Sequence, residues 1–197
     1  MSQHTPLVKP AVLEEAMASE RDRLFAGEVN RRSYTHLNRC YQCRTCGNGC
    51  PFLEAMDYSP HQVIRLVQYG LRQQALECAT IWICVSCHTC SSECPNAIDI
   101  AAIMDTLRSL ALEERAAIPT KDILAFHLEV LRSIERYGRT HKLGIMLRHK
   151  LLTGQWFKDV DLGLRMLAKR KLDLMPSRVK AAKEISRLFL PYWRVKS

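Results

Sequence analysis

An all-α fold is what the 197-residue sequence predicts, on three observations. Apolar residues recur every three or four positions through most of its length, strand signals are nearly absent, and the nine cysteines fall almost entirely into two short runs between the helical stretches. The length suits one domain, or one domain with an extension, and is enough to bury an ordinary core.

Residues 1–39 hold one predicted helix, Ala11 to Ala26, which Gly27 is expected to stop. Between the cysteine runs, SPHQVIRLVQYGLRQQALE opens with Ser59 as N-cap and Pro60 at the first helical position, and Val63, Ile64, Val67 and Leu71 share a face. After the second run, Ile100, Ile103, Met104, Leu107 and Leu110 repeat at helical spacing. The remainder predicts more helices. One begins after Thr120, turns Ile123, Leu124, Leu128, Leu131 and Ile134 inward and closes at Gly138. Leu143 to Thr153 ends at Gly154, Val160 to Leu172 stops before Pro176, and Val179 to Leu190 is capped by Ser177.

The runs themselves are CYQCRTCGNGCP, with Cys40, Cys43, Cys46 and Cys50, and CVSCHTCSSECP, with Cys84, Cys87, Cys90 and Cys94. Disulfides account poorly for them. An odd number of cysteines cannot pair completely, their density is under 5%, and the N-terminus has no basic patch, apolar stretch and cleavage site of a secretory signal. No apolar run approaches the ~18 residues that span a bilayer. The reading is a soluble, cytoplasmic chain in a reducing compartment, where close cysteines bind metal.

Structural zinc sites bring two cysteines from each of two knuckles, whereas each run here places three at i, i+3 and i+6 and a fourth beside a proline. That is the bacterial ferredoxin spacing for a 4Fe-4S cluster, in which the fourth cysteine serves the other cluster. Cluster one is then expected on Cys40, Cys43, Cys46 and Cys94, and cluster two on Cys84, Cys87, Cys90 and Cys50, with Pro51 and Pro95 turning the chain away. A single structural cluster would suffice to staple a loop, so two with exchanged ligands argue for electron transfer. Every iron corner has a cysteine, which leaves no catalytic residue to assign.

The expected organisation is an N-terminal helical arm (1–35), a helical ferredoxin-like domain with two 4Fe-4S clusters (36–118) and a basic helical extension for partner docking (119–197). Charge follows that division: residues 1–119 carry 11 Lys/Arg against 13 Asp/Glu, and residues 120–197 carry 18 against 7. Stacking aromatics are few in the basic tail, so an acidic protein surface suits it better than nucleic acid. Near the clusters, Gly47 and Gly49 are expected to turn the first loop with positive φ and aim amides at sulfur. His88 is expected to face the cluster surroundings or solvent, and Cys78 to be a buried thiol on a helix.

The doubled run, its long helical spacer, and the tail segments YGR, LTGQWFKDVDLGLRMLAKRKLDLMP and SRVKAAKEI resemble the heterodisulfide reductase C subunit over roughly residues 35 to 190. The resemblance implies an electron-relay subunit of a cytoplasmic oxidoreductase complex, linking a flavin-containing A subunit to a catalytic B subunit. The chain lacks an adjacent Cys-Cys pair and a Gly-rich flavin fingerprint, as such a relay should. Two other readings compete: the iron-sulfur arm of a quinone-linked membrane dehydrogenase, and an iron-sulfur regulator that binds nucleic acid.

Overall fold

A computed structural model describes residues 24–154, 165–166, 168–169 and 175–194, with the side chains of its last helix described through residue 189. The described residues are helical and contain no strand. Their contacts divide the chain into two units, Met1–Thr120 and Lys121–Ser197. The predicted helices at Ala11 to Ala26 and Val160 to Leu172 lie largely outside the described residues.

The first unit holds α1 (Phe25–Ser33), α2 (Thr45–Asn48), α3 (Pro60–Gln68), α4 (Arg72–Glu77), α5 (Thr80–Ile83), α6 (Thr89–Ser92) and α7 (Ile100–Glu113). Helical turns at Leu37–Arg39 and Leu53–Ala55 stand between them. Gly27 lies inside α1 and does not end it; the stop is Tyr34, whose left-handed backbone closes the helix. Helix α7 is the hub, packing on α1, α4, α5 and α6. Its apolar stripe, Ile100, Ile103, Met104, Leu107 and Leu110, is buried as its spacing predicts, each side chain stabilising the fold by roughly 1.5–3 kcal/mol. Asp99 starts it, accepting a hydrogen bond from the Ala102 amide.

Ser59 and Pro60 begin α3 as expected, and Gln62 reaches back to the Ser59 amide at 2.8 Å. The stretch expected as one helix breaks in two at Gly70, φ +74. The Leu71 amide turns back to the Leu66 carbonyl, the closure of a left-handed C-terminal cap. An ion-paired group ties the second piece to α7 and α1: Arg72, 8% exposed, donates to Glu114 at the end of α7 and to Glu28 of α1, over the Phe25 ring.

The second unit holds α8 (Lys121–Tyr137), α9 (Lys142–Thr153) and α10 (Ala182–Arg194), with α8 packed on both others. Gly138 and Gly154 end α8 and α9 at positive φ, as the sequence predicts. The expected inward residues Ile123, Leu124, Leu128, Leu131 and Ile134 are only half-buried, and the buried side chains of α8 are Glu129 and Ser133. Glu129 accepts from Arg132 and Arg148 at 2.5 and 2.8 Å. Helix α10 starts three residues later than expected. Val179 is held instead by a bond from its amide to the Tyr137 carbonyl, and the Ser177 hydroxyl accepts from Arg139.

Candidate metal centres

The two runs fold alike. In each, the residues two and four positions after the first cysteine take left-handed backbone, Gln42 and Arg44 at φ 64° and 68°, Ser86 and His88 at φ 51° and 60°. A four-residue helix follows, α2 or α6, and the fourth cysteine comes just after it. Non-glycine residues seldom adopt positive φ, so four at matched positions mark loops bent to a required shape. The expectation for Gly47 and Gly49 is thus corrected: neither has positive φ. Gly47 is buried in α2 beside His61 and Ser59, and Gly49 lies beside Thr89 of the other run.

α2 and α6 pack on each other, which brings the two runs side by side. Cys40, Cys43, Cys46 and Cys94 line one cavity, with Arg44, His61, Ile64 and Asn96 in its wall. Cys50, Cys84, Cys87 and Cys90 line a second, walled by Phe52, Met56, Val85, Met104 and others. Each cavity therefore draws three cysteines from one run and the last cysteine of the other. None of the nine cysteines is in a disulfide.

Distant bonds hold this arrangement. The Asn96 amide group donates to the Arg39 carbonyl at 2.6 Å, joining the end of the second run to the start of the first. Asp57 accepts from the Ala79 and Thr80 amides and the Thr80 hydroxyl at 2.7–2.9 Å, so the segment after the first run caps α5, which delivers Cys84. Arg108 of α7 grips the Ile81 and Cys84 carbonyls. Asp57, Arg108 and Asn96 were not legible as site residues, because each acts on backbone far away in sequence.

The surroundings of the thiols are graded. Cys43 and Cys87 are exposed, and the Thr45 and Thr89 hydroxyls lie 3.4 Å from their sulfurs. Those hydroxyls, then the threonine amides, hold both thiols below their ordinary range. Burial, reinforced by neighbouring cysteines, pushes Cys46 up to about 12 and Cys90 up to about 11. Such thiols give up their protons when a cation takes the protons' place, and metal binding supplies that exchange.

Four thiols and no carboxylate line each cavity, with His61 in the wall of the first and His88 in that of the second, a sulfur-dominated donor set suited to iron and sulfide. Among the described residues no three His, Cys, Asp or Glu side chains converge closely enough for a single ion. Four thiols around one cavity suit the four separated corners of a cubane. His88 is exposed, with Nδ1 3.7 Å from Asp99 Oδ1, and His61 engages the Ser59 hydroxyl. Cys78 is buried as expected, but just beyond the end of α4, donating to the Ala75 carbonyl.

In the second unit a cleft of about 870 Å³ is lined by Arg132, Arg136, Arg148, Arg178, Lys183 and Arg187, with Glu129 buried between Arg132 and Arg148. No helix among the described residues is long and apolar enough to cross a membrane.

Residues 36–98 match the family model of a 4Fe-4S dicluster domain, so the cofactors are two 4Fe-4S clusters. Over 164 residues the chain is 31% identical to the C2 subunit of the H(2)/formate:CoB-CoM heterodisulfide,ferredoxin reductase of Methanococcus maripaludis, covering 77% of this chain and 88% of that one. The C subunit of a ferredoxin:CoB-CoM heterodisulfide reductase of Methanosarcina acetivorans is 31% identical over 70% of this chain, which spans about half that protein's length (51%). A protein of Archaeoglobus profundus, named for its likeness to the heterodisulfide reductase C subunit, is 28% identical over 67% of this chain and 68% of its own.

Proposed function

This chain belongs to the family of heterodisulfide reductase C subunits, and on that premise we propose that it is the electron-relay subunit of a soluble, cytoplasmic oxidoreductase complex. It takes electrons from a flavin-containing subunit and hands them to a subunit that carries the catalysis. The relatives' names, with their heterodisulfide and ferredoxin substrates, support the class of complex.

One observation carries the reading: each cavity takes its fourth cysteine from the opposite run. Cys40, Cys43, Cys46 and Cys94 would hold one cluster and Cys84, Cys87, Cys90 and Cys50 the other, which supply one-electron storage when bound. The chain's own work is to keep the two sites adjacent through α2 and α6, to bring each site to the surface at Cys43 and Cys87, and to fill every ligand position with sulfur. No open position remains for a substrate, so catalysis falls to a partner. The basic cleft of the second unit suits docking on an acidic partner surface.

Two assays on the purified single chain and on the complex from its host test this. The single chain should exchange electrons with artificial dyes and reduce no disulfide, while the complex reduces it and contains stoichiometric flavoprotein and Cys-Cys-rich subunits. Disulfide reduction by the single chain at the rate of the complex would refute the assignment of catalysis to a partner.

A further inference from the structure

The two runs share a backbone and differ in what faces their sulfurs. Gln42 donates to the Cys40 sulfur at 3.3 Å, whereas the matching Ser86 turns to Asp105 Oδ1 at 3.2 Å. Arg44 lines the first cavity and has no carboxylate partner among the described residues. Its counterpart His88 lies beside Asp99. Arg108, the strong cation near the second run, is bonded to Asp105 at 2.6 Å and so is balanced in charge. Apolar side chains line both cavities, Ile64, Ile98 and Ile100 in the first and Phe52, Met56, Val85 and Met104 in the second, so the polar and charged neighbours make the difference.

Adding an electron makes a thiolate-held cluster more negative. An unbalanced cation and a donor to sulfur favour that state, and balanced charges give it no such support. We infer that the Cys40, Cys43, Cys46 and Cys94 site has the higher reduction potential, so that electrons arrive on the Cys87 side and leave on the Cys43 side. The inference rests on the relay reading above. In one passage a donor protein loses one electron at the Cys87 side, the second site is reduced and reoxidised, the first is reduced in turn, and an acceptor protein takes the same electron from the Cys43 side. No bond is made or broken.

Redox titration of the full chain carrying both clusters, followed by electron paramagnetic resonance, tests the order. Wild type should show two midpoints, Arg44→Gln and Gln42→Leu should each shift the higher one downward, and His88→Arg should raise the lower one. Coincident midpoints, a downward shift of the lower midpoint in Arg44→Gln, or no shift in either Arg44→Gln or His88→Arg would overturn it. Should Arg44→Gln fail to hold its cluster, His88→Arg decides alone: a rise of the lower midpoint supports the order and any other result refutes it. Ordered midpoints in a chain that passes no electrons between partners would leave the order of potentials intact and refute the relay, and with it the direction of passage. A working relay with the order reversed would do the opposite.

Discussion

Cys50 stands next to the proline that ends the first run, yet it lines the cavity built by the second. In the chain saturated with iron and sulfide, Cys50→Ser should therefore perturb the cluster held by Cys84, Cys87 and Cys90 and leave the spectrum of the other near normal. Loss of the cluster beside Cys50 in sequence would reverse the ligand sets. Cys78 is a different kind of thiol, buried away from both cavities and pushed up to about 12 by that burial. Between its ordinary value near 9 and about 12 the unfolded chain sheds this proton while the folded chain keeps it. Its contribution to stability is thus complete below pH 9 and lost as pH climbs toward 12. At pH 8 an alkylating reagent should spare Cys78 in the folded holoprotein and label it once denatured, as peptide mass mapping can measure; equal rates in both states would contradict the burial. The spacing of the cysteines was enough to find them. The left-handed Gln42, Arg44, Ser86 and His88 were not legible, because their conformation is imposed by the loop and runs against their own preference.

Arg72 links three helices and shows what holds the elements together where apolar contact does not suffice. Its guanidinium is 8% exposed, and the bonds it donates to Glu114, then the one it donates to Glu28, keep its pKa above the ordinary value. Removing it takes away the buried cation that Glu114 and Glu28 share, although Arg32 still pairs with Glu28 at 3.2 Å, so Arg72→Ala should cost about 3 kcal/mol and lower the thermal midpoint by several degrees. A midpoint within a degree of wild type would show that solvent screens the group fully. Helices with a clean apolar stripe and a marked end, α3 at Ser59 and Pro60, α7, and α8 at Gly138, could be read from sequence. The break at Gly70 was hidden because the apolar spacing continues through Leu71. The start of α10 was displaced by the bond from Val179 to Tyr137, which no local pattern encodes. In α8 the periodicity marked a face that is only half-buried, and the buried Glu129 and Ser133 lie on another side of the helix; the pairing of Glu129 with Arg148 of α9 is a long-range contact that no local pattern encodes.

Across the whole molecule, charge and metal separate: both cysteine-lined cavities belong to the first unit, and the basic cleft to the second. Composition had already revealed that division, since positive charge accumulates only after residue 119. The exchange of fourth cysteines also bears on how the holoprotein is assembled. With the ligand sets proposed above, filling the first site would join Cys46 to Cys94, and the shortest path between Cys50 and Cys84 would then fall from about 34 residues to about 14, counted along the sequence. Chain entropy alone makes the second filling easier by about 0.8 kcal/mol, roughly fourfold. Maturation is then cooperative: with iron and sulfide limiting, native mass spectrometry should find empty and doubly filled chains in excess over singly filled ones. A random, binomial distribution would mean that the two sites fill independently. A cell short of iron would accordingly hold a smaller number of complete relays and an apo pool, in place of many half-built chains that accept an electron and cannot pass it on.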